Sequence, residues 1–217
     1  MLPVILVHGW GFDASVWDRV RACRGMEDAG VTDFGFFGDA TGKHVSLNED
    51  FTPPGPVLVA GHSMGLLWLL RHAVLPAGSR IAGISGFSCF VKKPDFPDGV
   101  HARVLARMQA GLSEDPLSVL ASFRKNCGLE EDSPCRDADV DSLREGLDFL
   151  ENCDVRDSGR DVCVLCAEQD RIVSPAMSRA CFPEERITWI AGGSHMLPLT
   201  HPEECTVFLL DRRKIPG

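Results

Sequence analysis

Five continuous apolar runs mark the chain, at Pro3–Val7, Asp33–Phe37, Pro56–Ala60, Ile81–Ser85 and Val162–Ala167, and a sixth candidate lies at Arg186–Ile190. Short runs without polar alternation are the pattern of strands buried on both faces, as in parallel sheets. Between several of them the apolar period becomes helical. The clearest case is Met64–Val74, where Leu66, Leu67, Leu69, Leu70 and Ala73 form one broad apolar face. Strands alternating with helices predict an α/β fold, a parallel-rich sheet flanked by helices.

Two departures shape that prediction. A crossover helix is due between Lys43 and Gly55, yet Asn48–Gly55 has the composition of a loop, so the crossover is abbreviated. From about Phe90 to Val155 the pattern is helical, near 99–111, 116–126 and 139–151. Inserted between the fourth and fifth strands, this block predicts a cap over one end of the sheet. The expected division is therefore 1–89 and 156–217 for the two parts of the core, with 90–155 as the helical cap.

Composition narrows the class. At 217 residues, one domain with an insertion is the default. With 22 Lys+Arg against 31 Asp+Glu, the net charge of −9 argues against a nucleic-acid partner. No apolar run approaches the roughly 20 residues that span a bilayer, so no membrane partner is expected. The run Leu2–Val7 lacks a basic flank and leads straight into His8-Gly9, which reads as a core strand, not a signal peptide. Nine cysteines, an odd number in a chain of this size, read as reduced thiols of a cytoplasmic protein. Cys163 and Cys166 form a C-x-x-C inside a strand-like run, where a spacing of three sends the side chains to opposite faces. Neither a metal site nor a redox pair is expected there, and no cofactor is called for.

The chemistry concentrates at Gly61-His-Ser-Met-Gly65, which follows a strand and opens a helix. That context makes the G-x-S-x-G string specific: the glycines allow a tight turn that presents Ser63, and the helix aims its first amides, Met64 included, at an oxyanion formed there. An alcohol needs a base oriented by a third group. Among seven histidines, His195 follows the last strand in Ala191-Gly-Gly-Ser-His195, at the strand ends where ligands sit in open α/β sheets. His62 is fixed inside the turn and reads as pointing elsewhere, and His8 belongs to a different loop. Asp170 follows the fifth strand, with Glu168 as the fallback acid, giving the order Ser63, Asp170, His195. The glycine-flanked His8-Gly-Trp-Gly11 can turn the Trp10 amide toward the same oxyanion, with the Trp10 side chain walling the pocket.

With these residues assembled, the chain resembles the α/β-hydrolase superfamily over nearly its whole length. The opening at Met1, almost on the first strand, leaves no room for the amino-terminal hairpin usual there, so a compact version of that fold is expected. More narrowly, the chain is similar to the pimeloyl-acyl-carrier-protein methyl ester esterases of biotin synthesis. The tokens are His8-Gly-Trp-Gly-Phe-Asp-Ala-Ser-Val-Trp17, Ser88-Cys-Phe90, Gly146-Leu-Asp-Phe-Leu150 and Asp154-Val-Arg156. The resemblance implies a Ser63–Asp170–His195 triad, oxyanion amides at Trp10 and Met64, and no cofactor. It also implies an acyl ester substrate and an acyl carrier protein as partner.

That family receives its acidic carrier on cap arginines, whereas the aligned helix here reads Leu117-Ser-Val-Leu-Ala-Ser-Phe123. The replacement candidates are Arg103 and Arg107, four apart on one helix face, with Arg124 and Lys125. A solvated charged face is the alternative reading of these four. Phe123 and Leu147, with Trp10, are the acyl-contact candidates, although Phe87, Phe90, Phe96, Phe149 and Leu150 offer similar surface. A short-chain carboxylesterase or thioesterase without a carrier, a carbon–carbon bond hydrolase, and a non-catalytic binding module remain as alternatives.

Overall fold

The computed structural model describes residues 1–38, 42–129 and 137–214. Among them, seven strands form one sheet: β1 Val4–Val7, β2 Gly30–Asp33, β3 Lys43–His44, β4 Leu58–His62, β5 Arg80–Ile84, β6 Cys163–Ala167 and β7 Ile187–Ile190. Their order is β3-β2-β1-β4-β5-β6-β7, and every pairing is parallel. The helices are α1 Asp18–Arg21, α2 Met64–His72, α3 Ala102–Glu114, α4 Pro116–Asn126, α5 Val140–Asn152, α6 Arg156–Gly159, α7 Pro175–Cys181, α8 Leu197–Thr200 and α9 Pro202–Arg212.

The central strands are buried because they are apolar on both faces. Alternate residues of β4 feed separate cores: Val59 joins one with Leu67, Phe87 and Leu147, while Leu58 and Ala60 join another with Trp17, Leu165 and Phe208. Cys166 and Cys163 divide between the same two clusters, as the period-two pleat requires. All cysteines of the described residues are free; Cys135 lies outside them.

The second strand ends where the apolar run at Asp33–Phe37 begins. The strand is Gly30–Asp33, and Phe34, Phe36 and Phe37 lie beyond it as buried loop residues. Buried Asp33 explains this polar strand end, since its carboxylate accepts from the Ala14 and Gly35 amides at 3.0 and 2.8 Å. Two-residue β3, exposed at both positions, left no apolar signal. No helix joins β3 to β4, in keeping with the abbreviated crossover.

Among the described residues, four helices, α3, α4, α5 and the short α6, stand between β5 and β6. Asp115 and Asp139 cap α4 and α5, accepting from the Ser118 and Ser142 amides. The ends of this insertion are tied by charge: Asp154 meets Lys93 and Arg156 at 2.9 Å each, and Arg156 reaches Asp95 at 2.7 Å.

Candidate active site

β4 turns into α2 through one strained residue. Ser63 has φ 54° and ψ −122°, in the half of backbone space that non-glycine residues avoid, at a cost on the order of 1–3 kcal/mol. Two glycines make the turn possible. A Cβ on Gly61 would stand 2.2 Å from the Leu66 nitrogen, and one on Gly65 would stand 2.5 Å from the His8 carbonyl. The Ser63 amide is anchored to the Ile84 carbonyl at 3.1 Å, which sets the serine beside β5.

Ser63 Oγ lies 3.0 Å from His195 Nε2, and His195 Nδ1 lies 2.8 Å from Asp170 Oδ2. All three residues are buried, His195 completely. The turn after β6 holds the acid: Asp170 Oδ1 accepts from the Ile172 and Val173 amides, both at 2.8 Å, leaving Oδ2 to the imidazole. A carboxylate accepts only, so the network assigns the proton to Nδ1 and the lone pair to Nε2. This arrangement can take a proton from an alcohol and stabilise the resulting imidazolium. Glu168, the fallback acid, is exposed.

The loop after β1 abuts the turn that carries Ser63. A Cβ on Gly9 would stand 2.9 Å from Ser63 Cβ and 3.2 Å from His62 Nδ1, so the loop after β1 packs directly on the turn at residues 62–63. His8 braces this loop from within, its Nδ1–H donating to the Gly9 carbonyl at 2.8 Å and its Nε2 accepting from the Phe34 amide at 3.0 Å. The buried Trp10 indole donates to the Leu143 carbonyl of α5 at 2.8 Å and meets Phe123 edge-on at 4.9 Å.

The insertion touches both loops that flank Ser63. A Cβ on Gly11 would meet Leu120 and Phe123 of α4 at 3.3 Å, and one on Gly128 would meet Ser194 Oγ at 2.7 Å. Phe123 is half-buried at this contact, while Leu147 is buried in the core. Phe149 faces away, stacking on His72 and lining an open cleft of about 760 Å³ with Arg71, Asp148 and Asp154. None of the three triad candidates lines that cleft.

The four cationic candidates divide. Arg103, Arg107 and Lys125 are exposed. Arg124 turns inward instead, its guanidinium 5.3 and 5.5 Å from the Phe12 and Phe37 rings and donating to the Gly11 carbonyl at 3.3 Å. Desolvated aromatic faces and a carbonyl hold this planar cation against the loop after β1. Glu130, Glu131, Asp132 and Arg136 of the insertion lie outside the described residues. Among the described residues, no group of three or more His, Cys, Asp or Glu side chains is placed to hold a metal.

His62 does not point away from the site. Its Nε2 donates to the His195 carbonyl at 3.0 Å, and the two rings are 5.0 Å apart. Burial pushes its pKa down to about 3, so the ring is neutral. Sequence spacing missed this bond because it joins residues 133 positions apart.

Residues 4–206 match the model of the alpha/beta hydrolase family. The chain is 25% identical over 241 aligned positions to a pimeloyl-[acyl-carrier protein] methyl ester esterase of Yersinia enterocolitica, covering 96% of this chain and 92% of the relative. Its fold is similar to an esterase of Exiguobacterium antarcticum, with TM-score 0.75, 15% identity, and coverage of 98% and 91%. A bromoperoxidase of Bacillus anthracis superposes with TM-score 0.74 at 17% identity, covering 96% and 90%. The chain belongs to the alpha/beta hydrolase family, and the reading of it as a hydrolytic enzyme stands with that membership.

Proposed function

We propose that the protein is a serine carboxylesterase whose substrate is the methyl ester of a pimeloyl chain borne by an acyl carrier protein. The observation that carries the esterase reading is the chain of contacts from Ser63 through His195 to Asp170, at 3.0 and 2.8 Å. His195 Nε2 takes the Ser63 proton as Oγ attacks the ester carbonyl, and Asp170 stabilises the imidazolium. The Trp10 and Met64 amides receive the oxyanion, each such donor contributing about 2.7–4 kcal/mol to the transition state. His195 then protonates the leaving alkoxide, releasing methanol. Water, deprotonated by the same nitrogen, cleaves the acyl-enzyme and frees the acid.

Residues 90–155 serve as the cap in this reading, with Trp10, Phe123 and Leu147 beside the acyl chain. The substrate assignment is supported by the name of the Yersinia relative and by the exposed cations Arg103, Arg107 and Lys125. Arg124 differs from these three in donating to the Gly11 carbonyl. No helix is long and apolar enough to cross a membrane among the described residues. A cytoplasmic site of action agrees with the free thiols.

A second reading, a short-chain carboxylesterase or thioesterase acting without a carrier, is favoured by the arginine-free α4 surface from Leu117 to Phe123. Mass spectrometry of methyl-pimeloyl carrier protein and of free methyl pimelate, each incubated with the enzyme, separates the two. Faster demethylation of the carrier-bound form supports the first reading; cleavage of the free ester alone supports the second. Charge reversal at Arg103 and Arg107 should raise KM for the carrier substrate only, and an unchanged KM would count against docking there.

A further inference from the structure

We propose that His62 is a positioning residue for the catalytic base, holding the main chain of His195 while Asp170 holds its ring. This rests on the triad reading above. Residues 62 and 63 are neighbours at the end of β4, and both grip the same partner. Ser63 Oγ meets His195 Nε2 at 3.0 Å, and His62 Nε2 meets the His195 carbonyl oxygen at 3.0 Å. The base is thereby held at its ring and at its backbone by one rigid turn.

The segment that carries His195 needs such a hold. It runs through Ala191-Gly-Gly-Ser194, and Gly192 adopts φ +72° with open space around it. Upstream, the Gln169 amide donates to the Gly193 carbonyl at 3.0 Å.

The chemistry of the bond is fixed by its acceptor. A carbonyl only accepts, so His62 Nε2 carries the proton and Nδ1 carries the lone pair. Nδ1 is fully buried, with no partner among the described residues, beside the place a Gly9 Cβ would occupy. A ring kept for packing alone leaves this orphaned nitrogen unexplained, since an apolar ring avoids the desolvation cost. The bond to His195 supplies the reason. His62 also stays neutral while His195 becomes an imidazolium, because burial holds its pKa near 3, so it adds no repulsion to the charge that develops at a ring 5.0 Å away.

The test compares His62→Gln with His62→Asn. The Gln amide nitrogen reaches the position of Nε2 and can donate to the His195 carbonyl; the Asn amide reaches only as far as Nδ1. Misplacing a reacting group by about 1 Å costs roughly 10²-fold. His62→Asn should therefore lose about 10- to 100-fold in kcat on a soluble aryl ester, with KM within about twofold. His62→Gln should recover at least about tenfold of that loss, at similar unfolding midpoints for the two variants. Equal kcat in the two variants, or a loss confined to KM, would overturn the proposal. Ser63→Ala is the control: if it retains turnover, the triad reading has failed, whereas an inactive Ser63→Ala beside a fully active His62→Asn removes only the positioning role.

Discussion

Gly146 of α5 approaches the Trp10 indole so closely that a Cβ there would stand 2.6 Å from ring atom Cδ1. The same ring donates to Leu143 one turn earlier on that helix. The insertion and the loop after β1 are thus locked together through one aromatic side chain. The position of α5 and that of the loop packed on the Ser63 turn are mechanically linked.

Gly146→Ala should therefore act in two ways. Overpacking at a buried, bonded ring costs about 1–3 kcal/mol of stability, readable as a lowered denaturant midpoint. Because Trp10 must shift, kcat should fall more than KM changes. A variant with wild-type kcat and a lowered midpoint would separate Trp10 packing from the oxyanion site.

Asp170→Asn tests the acid. Asn Oδ1 can keep the Ile172 and Val173 amide bonds, so the turn should survive. Its amide would then face Nδ1 and draw the proton to Nε2, where His195 can no longer accept from Ser63. A loss of about 10³–10⁴ in kcat is expected with little change in the unfolding midpoint.

The ionic tie at the base of the insertion predicts a pH-dependent stability. The Arg156 guanidinium, followed by the Lys93 ammonium, holds the Asp154 carboxyl well below the usual carboxylate range. A depressed folded-state pKa gives stability that is full above the unfolded value, near 4, and is lost as pH falls through the folded value. Asp154→Asn should cost on the order of 1–2 kcal/mol at pH 7. The gap from wild type, followed by thermal melts, should close steadily as the pH drops below about 4.

Much of this was legible in the chain, for identifiable reasons. The Gly61–Gly65 turn, the strand-end positions of Asp170 and His195, and the helical insertion all follow from local rules about strands, glycines and loop ends. What escaped the reading depended on partners distant in sequence. Phe34, Phe36 and Phe37 mimic a strand because buried loop aromatics and strand aromatics share one hydrophobic signal. Arg124 gave no sign that Phe12, Phe37 and the Gly11 carbonyl would draw it inward, and His62 gave none of its bond to His195. The signal that could have raised His62 was its type alone: a titratable ring placed where the turn must be buried.

The most direct test of the central claim, that Ser63 is the activated nucleophile, is intact-mass and peptide mapping after brief exposure to a fluorophosphonate. The account predicts a single adduct on Ser63, slowed strongly by His195→Ala and absent from acid-unfolded protein. An unmodified Ser63, or labelling that proceeds equally fast without His195, would contradict it.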